Sequence, residues 1–143
     1  MSRRELREHI FKFIFRIEFN DREEMPEQEQ FFFEMLKMEA QEERTHKVKD
    51  EDAAYISTKS NKIIEKLDEL DAMINKQAKG WTTQRMGKVD LTILRLAVYE
   101  IVFDEDVPTG VAINEAVELA KRFGQEESSG FVNGVLAKFA PAS

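Results

Sequence analysis

The segment at 90–103 reads DLTILRLAVYEIVF, and its apolar residues cover nearly every face of a helix. A helix that is apolar all round is buried on all sides, so this pattern is typical of the central helix of a bundle. The rest of the chain has only three prolines and few alternating β-branched runs. The sequence therefore predicts an all-α protein built around 90–103.

Amphipathic segments surround this central helix on both sides. Apolar spacing and capping residues predict helices, in chain order, at 3–19, after Pro26, at 52–79, at 90–103, at 111–123 and from Ser128 or Ser129 onward. Whether 52–79 is one helix or breaks once is left open. A polar connector is expected at 41–50. Tyr55 should point inward. Trp81 should open a short helical turn leading to Gly87, and its side chain should fill the end of the bundle.

Length and composition limit the class of protein further. The chain has 143 residues, which is the size of one domain, and it contains no cysteine for a disulfide or a thiolate metal site. Its charged amino end leads into no long apolar run, so neither a signal peptide nor a membrane span is expected. The sequence predicts a cytoplasmic protein with no membrane association.

The net charge is −7, which argues against a nucleic-acid partner until its distribution is considered. Residues 21–52 hold 12 acidic and five basic side chains, so this segment accounts for the whole excess. Residues 1–16 instead carry five basic side chains against two glutamates. A local basic patch of this kind can contact phosphates although the whole chain is acidic.

Residue patterns that carry enzyme chemistry are missing. The two histidines, His9 and His46, have no cysteine to activate, and the glycines stand singly rather than in a phosphate-binding loop. Glu5 and His9 are one helical turn apart, but two side chains are too few to hold a metal. The sequence predicts no enzymatic activity, no cofactor and no metal site.

One flank of the first helix combines Arg4 and Arg7 with Phe11 and Phe15. Guanidinium groups bind phosphates and flat rings accept unstacked bases, so this flank suits single-stranded nucleic acid. Alternatively, the two rings pack against another helix and the arginines remain in solvent.

Two asparagines lie within apolar segments. Asn114 and Asn133 are expected to be at least partly buried, either tying helix ends together or reading a base edge.

Separate segments of the chain together resemble the NusB family. They are Trp81 with Arg85, Val89-Asp90, ILRLAVYE at 93–100, Val107-Pro108, AINEAVELAK at 112–121, Phe123-Gly124 and FVNGVL at 131–136. The amino end, with Arg3, Arg4 and Arg7 before Phe15, is similar to the family's arginine-rich first helix. Between 21 and 79 only the helical pattern agrees.

The resemblance implies a single NusB-like domain, a compact bundle of about seven helices with subdomains at 1–79 and 80–143. It implies a non-enzymatic factor in transcription antitermination and termination, which binds single-stranded boxA-type RNA together with the ribosomal protein NusE in the RNA polymerase antitermination complex. A homodimer is a possible further state.

The resemblance also assigns site residues. The implied RNA contacts are Arg3, Arg4, Arg7, Phe15, Phe123, Glu127, Ser128, Phe131 and Asn133. The implied NusE contacts are Gln84, Asp90, Glu100 and Ile101.

Two other interpretations stay open. The chain could be a helical protein-interaction scaffold that binds no RNA, with the acidic segment 21–52 as its partner surface. It could also be the accessory domain of an RNA-modifying methyltransferase, although no α/β region for a methyl donor is expected within its 143 residues.

Overall fold

A computed structural model describes residues 1–43 and 48–140, and all regular structure in those ranges is helical. The helices are α1 (Arg3–Ile14), α2 (Met25–Glu42), α3 (Asp50–Glu65), α4 (Leu67–Gln77), α5 (Lys88–Phe103), α6 (Thr109–Phe123) and α7 (Ser128–Ala137). Short 3-10 turns cover Phe15–Glu18 and Arg22–Glu24. The predicted all-α class is confirmed, whereas His46 lies outside the described residues.

The chain divides into two compact units, Met1–Ile64 and Glu65–Ser143. The sequence placed this boundary at 79/80, after the third helical region. The difference arises because that region breaks at Lys66 into α3 and α4, and α4 packs against α5. The segment 65–79 therefore belongs to the second unit.

The first unit is held together by apolar side chains from α1, α2 and α3. Ile10 and Phe13 of α1 are buried, and the Phe13 ring meets the edge of Phe32 on α2 at 5.4 Å between centroids. Glu29 of α2 accepts hydrogen bonds from Ser57 and Asn61 of α3. These contacts fix one side of α2 and leave its other side open.

The second unit is organised around α5, as the sequence predicted. Every residue from Leu91 to Glu100 is buried, and α4, α6 and α7 all pack against α5. The one buried cation of this run is compensated, because the Arg95 guanidinium donates two hydrogen bonds of 2.8 Å to the Asp71 carboxylate on α4. None of the helices in the described ranges has the length and apolar character needed to cross a membrane.

Two inward side chains were predicted wrongly. Trp81 lies in a non-helical turn and is 48% exposed, because the chain leaves α4 through Gly80 at φ 82° and turns outward. Tyr55 is also exposed, with its hydroxyl 3.4 Å from the Lys59 ammonium. Both rings keep one polar or cationic neighbour at the surface instead of filling the core.

Candidate nucleic-acid interface

The first turn of α1 presents arginines to solvent. The Ser2 hydroxyl caps the helix by accepting a hydrogen bond from the Glu5 amide at 3.1 Å, which sets where the helix begins. Arg3 and Arg4 are exposed in that turn, but Arg7 is buried one turn later. Only the first two of the three predicted arginines can therefore reach a phosphate from this surface.

Three phenylalanines at four-residue spacing, Phe11, Phe15 and Phe19, run from the last turn of α1 past the 3-10 turn that follows it. The Phe11 and Phe15 rings stack at 6.2 Å between centroids, and Phe15 meets Phe19 edge-on at 5.3 Å. Exposure rises along the row: Phe11 is buried, Phe15 is half-buried and Phe19 is 62% exposed. Phe11 therefore packs inside the protein, as the alternative interpretation predicted. Phe19 was not predicted as a site residue, although it continues the four-residue spacing of Phe11 and Phe15.

Lys12 and Arg16 of this segment both have local partners. Lys12 pairs with Glu8 at 3.5 Å, and the Arg16 guanidinium donates to the Gln28 side chain at 3.0 Å and lies over the Phe32 ring. Burial lowers the pKa of His9 below its ordinary value, and the Lys12 ammonium lowers it further, against the opposite influence of Glu8, Glu5 and Glu39. Through its contacts with Gln28 and Phe32, Arg16 fastens the 3-10 turn that follows α1 to α2.

In the second unit, a tight corner joins α6 to α7. The Ser128 hydroxyl is fully buried and accepts a hydrogen bond from the Gln125 amide at 2.9 Å. A Cβ on Gly124 would lie 2.6 Å from the Ser128 side chain, so this position has no room for a larger residue. Ser128 was assigned to RNA, but in this structure its hydroxyl faces the corner and not solvent.

Aromatic rings lie on both sides of that corner. Phe123 is half-buried beside the Arg122 guanidinium, 5.2 Å from the ring centroid. Phe131, also half-buried, meets the Trp81 ring at 5.7 Å, and the Arg85 guanidinium lies 5.6 Å from that ring. The sequence predicted a buried Trp81, so this surface group of two rings and a guanidinium was not predicted.

The other polar side chains that the sequence singled out on α6, on α7 and in the corner between them all lie at the surface. Glu127, Asn133 and Asn114 are exposed, so the expectation that both asparagine amides are buried is wrong. Asn133 lies on α7 two residues after Phe131, and Asn114 lies on α6. Neither amide needs an internal partner, because water can satisfy it.

The residues assigned to a protein partner are spread over the turn before α5 and α5 itself. Gln84 is exposed, while Asp90 and Ile101 are half-buried. Glu100 is only 1% exposed, because it belongs to the fully buried run of α5. Its carboxylate is therefore not available to a partner in this structure, and the exposed Val102 lies nearer the surface.

No group of three or more acidic or histidine side chains is arranged to hold a metal ion within 1–43 and 48–140. The functional groups of the candidate site are guanidinium groups, aromatic rings, amides and carboxylates. Such groups can bind ligands through charge, stacking and hydrogen bonds.

Comparison with known proteins decides the family. The model of the NusB family matches residues 4–141. The chain belongs to the NusB family. The resemblance found in the sequence is thereby confirmed. Members are transcription antitermination factors and not enzymes, which also confirms the predicted class.

Individual relatives agree over nearly the whole chain. The transcription antitermination protein NusB of Agathobacter rectalis is 52% identical over 98% of this chain and 100% of its own length. The NusB protein of Lachnoclostridium phytofermentans is 47% identical over 96% of this chain and 98% of its own.

Solved structures agree in fold. NusB of T. maritima superposes with a TM-score of 0.79 at 34% identity, over 98% of this chain and 91% of that one. A chain from the crystal structure of antitermination factors NusB and NusE in complex with dsRNA matches with a TM-score of 0.75 over 96% of this chain and 94% of that one. Its identity is 24%, so this likeness concerns the fold alone.

Proposed function

We propose that this NusB-family protein binds single-stranded boxA-type RNA together with the ribosomal protein NusE, as part of the RNA polymerase antitermination complex in the cytoplasm. The observation that carries the proposal is the amino-terminal surface, where exposed Arg3 and Arg4 precede the partly open Phe15 and the open Phe19. Cations for phosphates and rings for bases are the two components that single-strand recognition needs.

The arginines supply the electrostatic part of the interaction. The chain carries a net charge of −7, so a phosphate backbone is attracted only to a local patch. Arg3 and Arg4 form such a patch in the first turn of α1, before the first glutamate of the chain at Glu5. Contacts of this kind position the strand without reading its sequence.

The aromatic row supplies contacts for bases. Phe15 replaces the buried Phe11 as the inner ring of the site, and Phe19 extends it towards solvent. A base that stacks on a protein ring gains about 1 to 3 kcal/mol, and any base can do so.

The second unit offers a further set of contacts. Within this unit, Phe123, Phe131 and Asn133 are proposed as a separate set of RNA contacts, together with Trp81 and Arg85. The Asn133 amide can donate to and accept from a base edge, which stacking alone cannot read. Glu127 can accept from an exocyclic amine, whereas Ser128 acts by holding the corner between Phe123 and Phe131.

NusE is proposed to bind along α5 and the turn before it. Gln84 and Asp90 supply polar contacts, and Ile101 with exposed Val102 supplies an apolar one. The polar residues lie before and at the start of α5 and the apolar ones at its end, so this interface would follow the length of the helix. Glu100 is left out of this surface because it is buried.

The salt dependence of RNA affinity tests the arginine contacts. Arg4→Ala should weaken binding of a fluorescent boxA-type RNA in the presence of NusE and reduce the salt slope by about 0.7, the value for one phosphate on a single strand. Lys37→Ala, which removes an exposed cation from α2, is the matched control and should leave the slope unchanged. An Arg4→Ala slope equal to that of the wild type would exclude Arg4 from the site.

The single tryptophan of the chain gives a direct signal from the second unit. RNA that stacks against Trp81 should quench its fluorescence, and Phe131→Leu should reduce both the quenching and the affinity. If RNA bound tightly without any change in this fluorescence, the RNA strand would not contact Trp81. Tight NusE binding with no RNA shift at all would instead favour the interaction scaffold.

A further inference from the structure

Helix α2 has one closed face and one open face. Met25, Phe32 and Leu36 are buried, whereas Phe31, Met35 and Met38 are 48%, 51% and 59% exposed. The last three, here called the α2 seam, follow one another at intervals of four and three residues. This is the d-a-d spacing by which one helix packs against another in a coiled coil.

The α2 seam is bordered by carboxylates. Helix α2 contains five glutamates and one lysine, and Glu27 and Glu34 take the g positions beside the seam. Within 1–43 and 48–140, the side chains of Glu27, Glu34 and Glu42 make no ion pair. Lys37 lies three residues after Glu34 on α2, but the two side chains form no ion pair in the described part of the chain, and one lysine leaves the five glutamates of the helix in excess.

We propose that the α2 seam is a docking site for a basic amphipathic helix of a partner protein. Its apolar side chains would pack on Phe31, Met35 and Met38, and its lysines or arginines would face Glu27 and Glu34. Methionine is flexible and polarisable, so two of the three seam residues can adapt to the shape of such a helix. The inference is independent of the RNA surface proposed above.

The charge of the border decides between possible occupants. A second copy of the chain docked through the same face would bring glutamates against glutamates, which disfavours self-association. Nucleic acid is disfavoured for the same reason. A basic helix gains both the apolar contact and the charge complementarity, and complementarity of this kind also speeds association.

A designed peptide pair can test the proposal on the full chain. The probe is a synthetic three-heptad peptide with Leu at a and d and Lys at e and g, and its matched control carries Glu at e and g. With the isotope-labelled protein, the Lys peptide should shift amide resonances of α2 around residues 31–38, and the Glu peptide should shift none. Met35→Ser should weaken binding of the Lys peptide about tenfold, since one apolar contact is lost.

Two further variants provide controls. Val111→Ser removes an exposed apolar side chain of α6 and should bind the Lys peptide as the wild type does. Met35→Ser should bind RNA unchanged, so failure of this inference and failure of the RNA proposal give different results. Equal binding of both peptides, shifts confined to the second unit, or wild-type affinity in Met35→Ser would each overturn the proposal. So would self-association of the wild type that Met35→Ser abolishes, because the occupant would then be a second copy.

Discussion

Helices α5 and α2 are of similar length and both are rich in apolar residues, yet they are used differently. All ten residues from Leu91 to Glu100 of α5 are buried, whereas α2 buries three residues and leaves three large apolar side chains open. Helices α4, α6 and α7 pack against α5, while the contacts of α2 lie on one side. A high apolar content allows a helix to be buried. The number of helices that pack against it determines how much of its surface is buried.

The largest effect is expected from a cavity in α5. Leu94 is completely buried, so Leu94→Ala should lower the free energy of unfolding by about 2 to 5 kcal/mol. Chemical denaturation monitored by circular dichroism measures this change. A loss below about 0.5 kcal/mol would mean that α5 is not the packed centre of its unit.

A smaller loss is expected when the ion pair of α5 is broken. Arg95→Met leaves the partly buried Asp71 carboxylate without its two hydrogen bonds, which should cost about 1 to 3 kcal/mol of unfolding free energy. Lys121→Met removes an exposed pair with Glu118 and should cost less than about 1 kcal/mol. Equal losses in the two variants would contradict the difference in burial.

The closed side of α2 can be tested through pH. The His9 ring meets Phe32 of α2 edge-on at 6.4 Å, and its pKa in the folded state lies below 6.5. The unfolded chain therefore binds more protons than the folded protein as the pH is lowered through 6.5. The free energy of unfolding should decrease on this acidification by at most about 1.4 kcal/mol per pH unit. His9→Gln should lose that part of the decline, as denaturation at pH 7.5 and 5.5 can show. An identical decline in both proteins would assign it to other groups.

The smallest effect is expected on the open side of α2. Met38 is already more than half exposed, so Met38→Gln should change the free energy of unfolding by no more than about 0.5 kcal/mol. The measurement is the same denaturation experiment as for Leu94→Ala. A loss of more than about 1 kcal/mol would show that the α2 seam is covered in the protein as it stands.

Much of the fold could be predicted from local pattern. The run at 90–103 has no polar face, so its central place followed from the sequence. A break within 52–79 was one of two alternatives, and its position at Lys66 was not predicted. The boundary between the units was not predictable in this way. It depends on the packing of α4 against α5, and periodicity along one helix does not identify the helix that covers it.

The candidate site was predicted in part for the same reason. Arg3 and Arg4 are exposed as expected, whereas Arg7, Ser128 and Glu100 are buried by neighbours that no single segment reveals. Trp81 is the opposite case, because it was predicted to be buried and is exposed. Its outward position depends on the backbone conformation of Gly80, and a large ring in a turn gives no signal of whether it faces the core.

The corner between α6 and α7 has a consequence for any ligand that touches both Phe123 and Phe131. Opening the backbone there would break the hydrogen bond from the Gln125 amide to the Ser128 hydroxyl, at a cost of about 0.5 to 1.5 kcal/mol. The corner therefore holds the backbone of Phe123 and Phe131 in place before any ligand arrives. A ligand that touches both rings gains from this preorganisation, because the corner need not be ordered on binding.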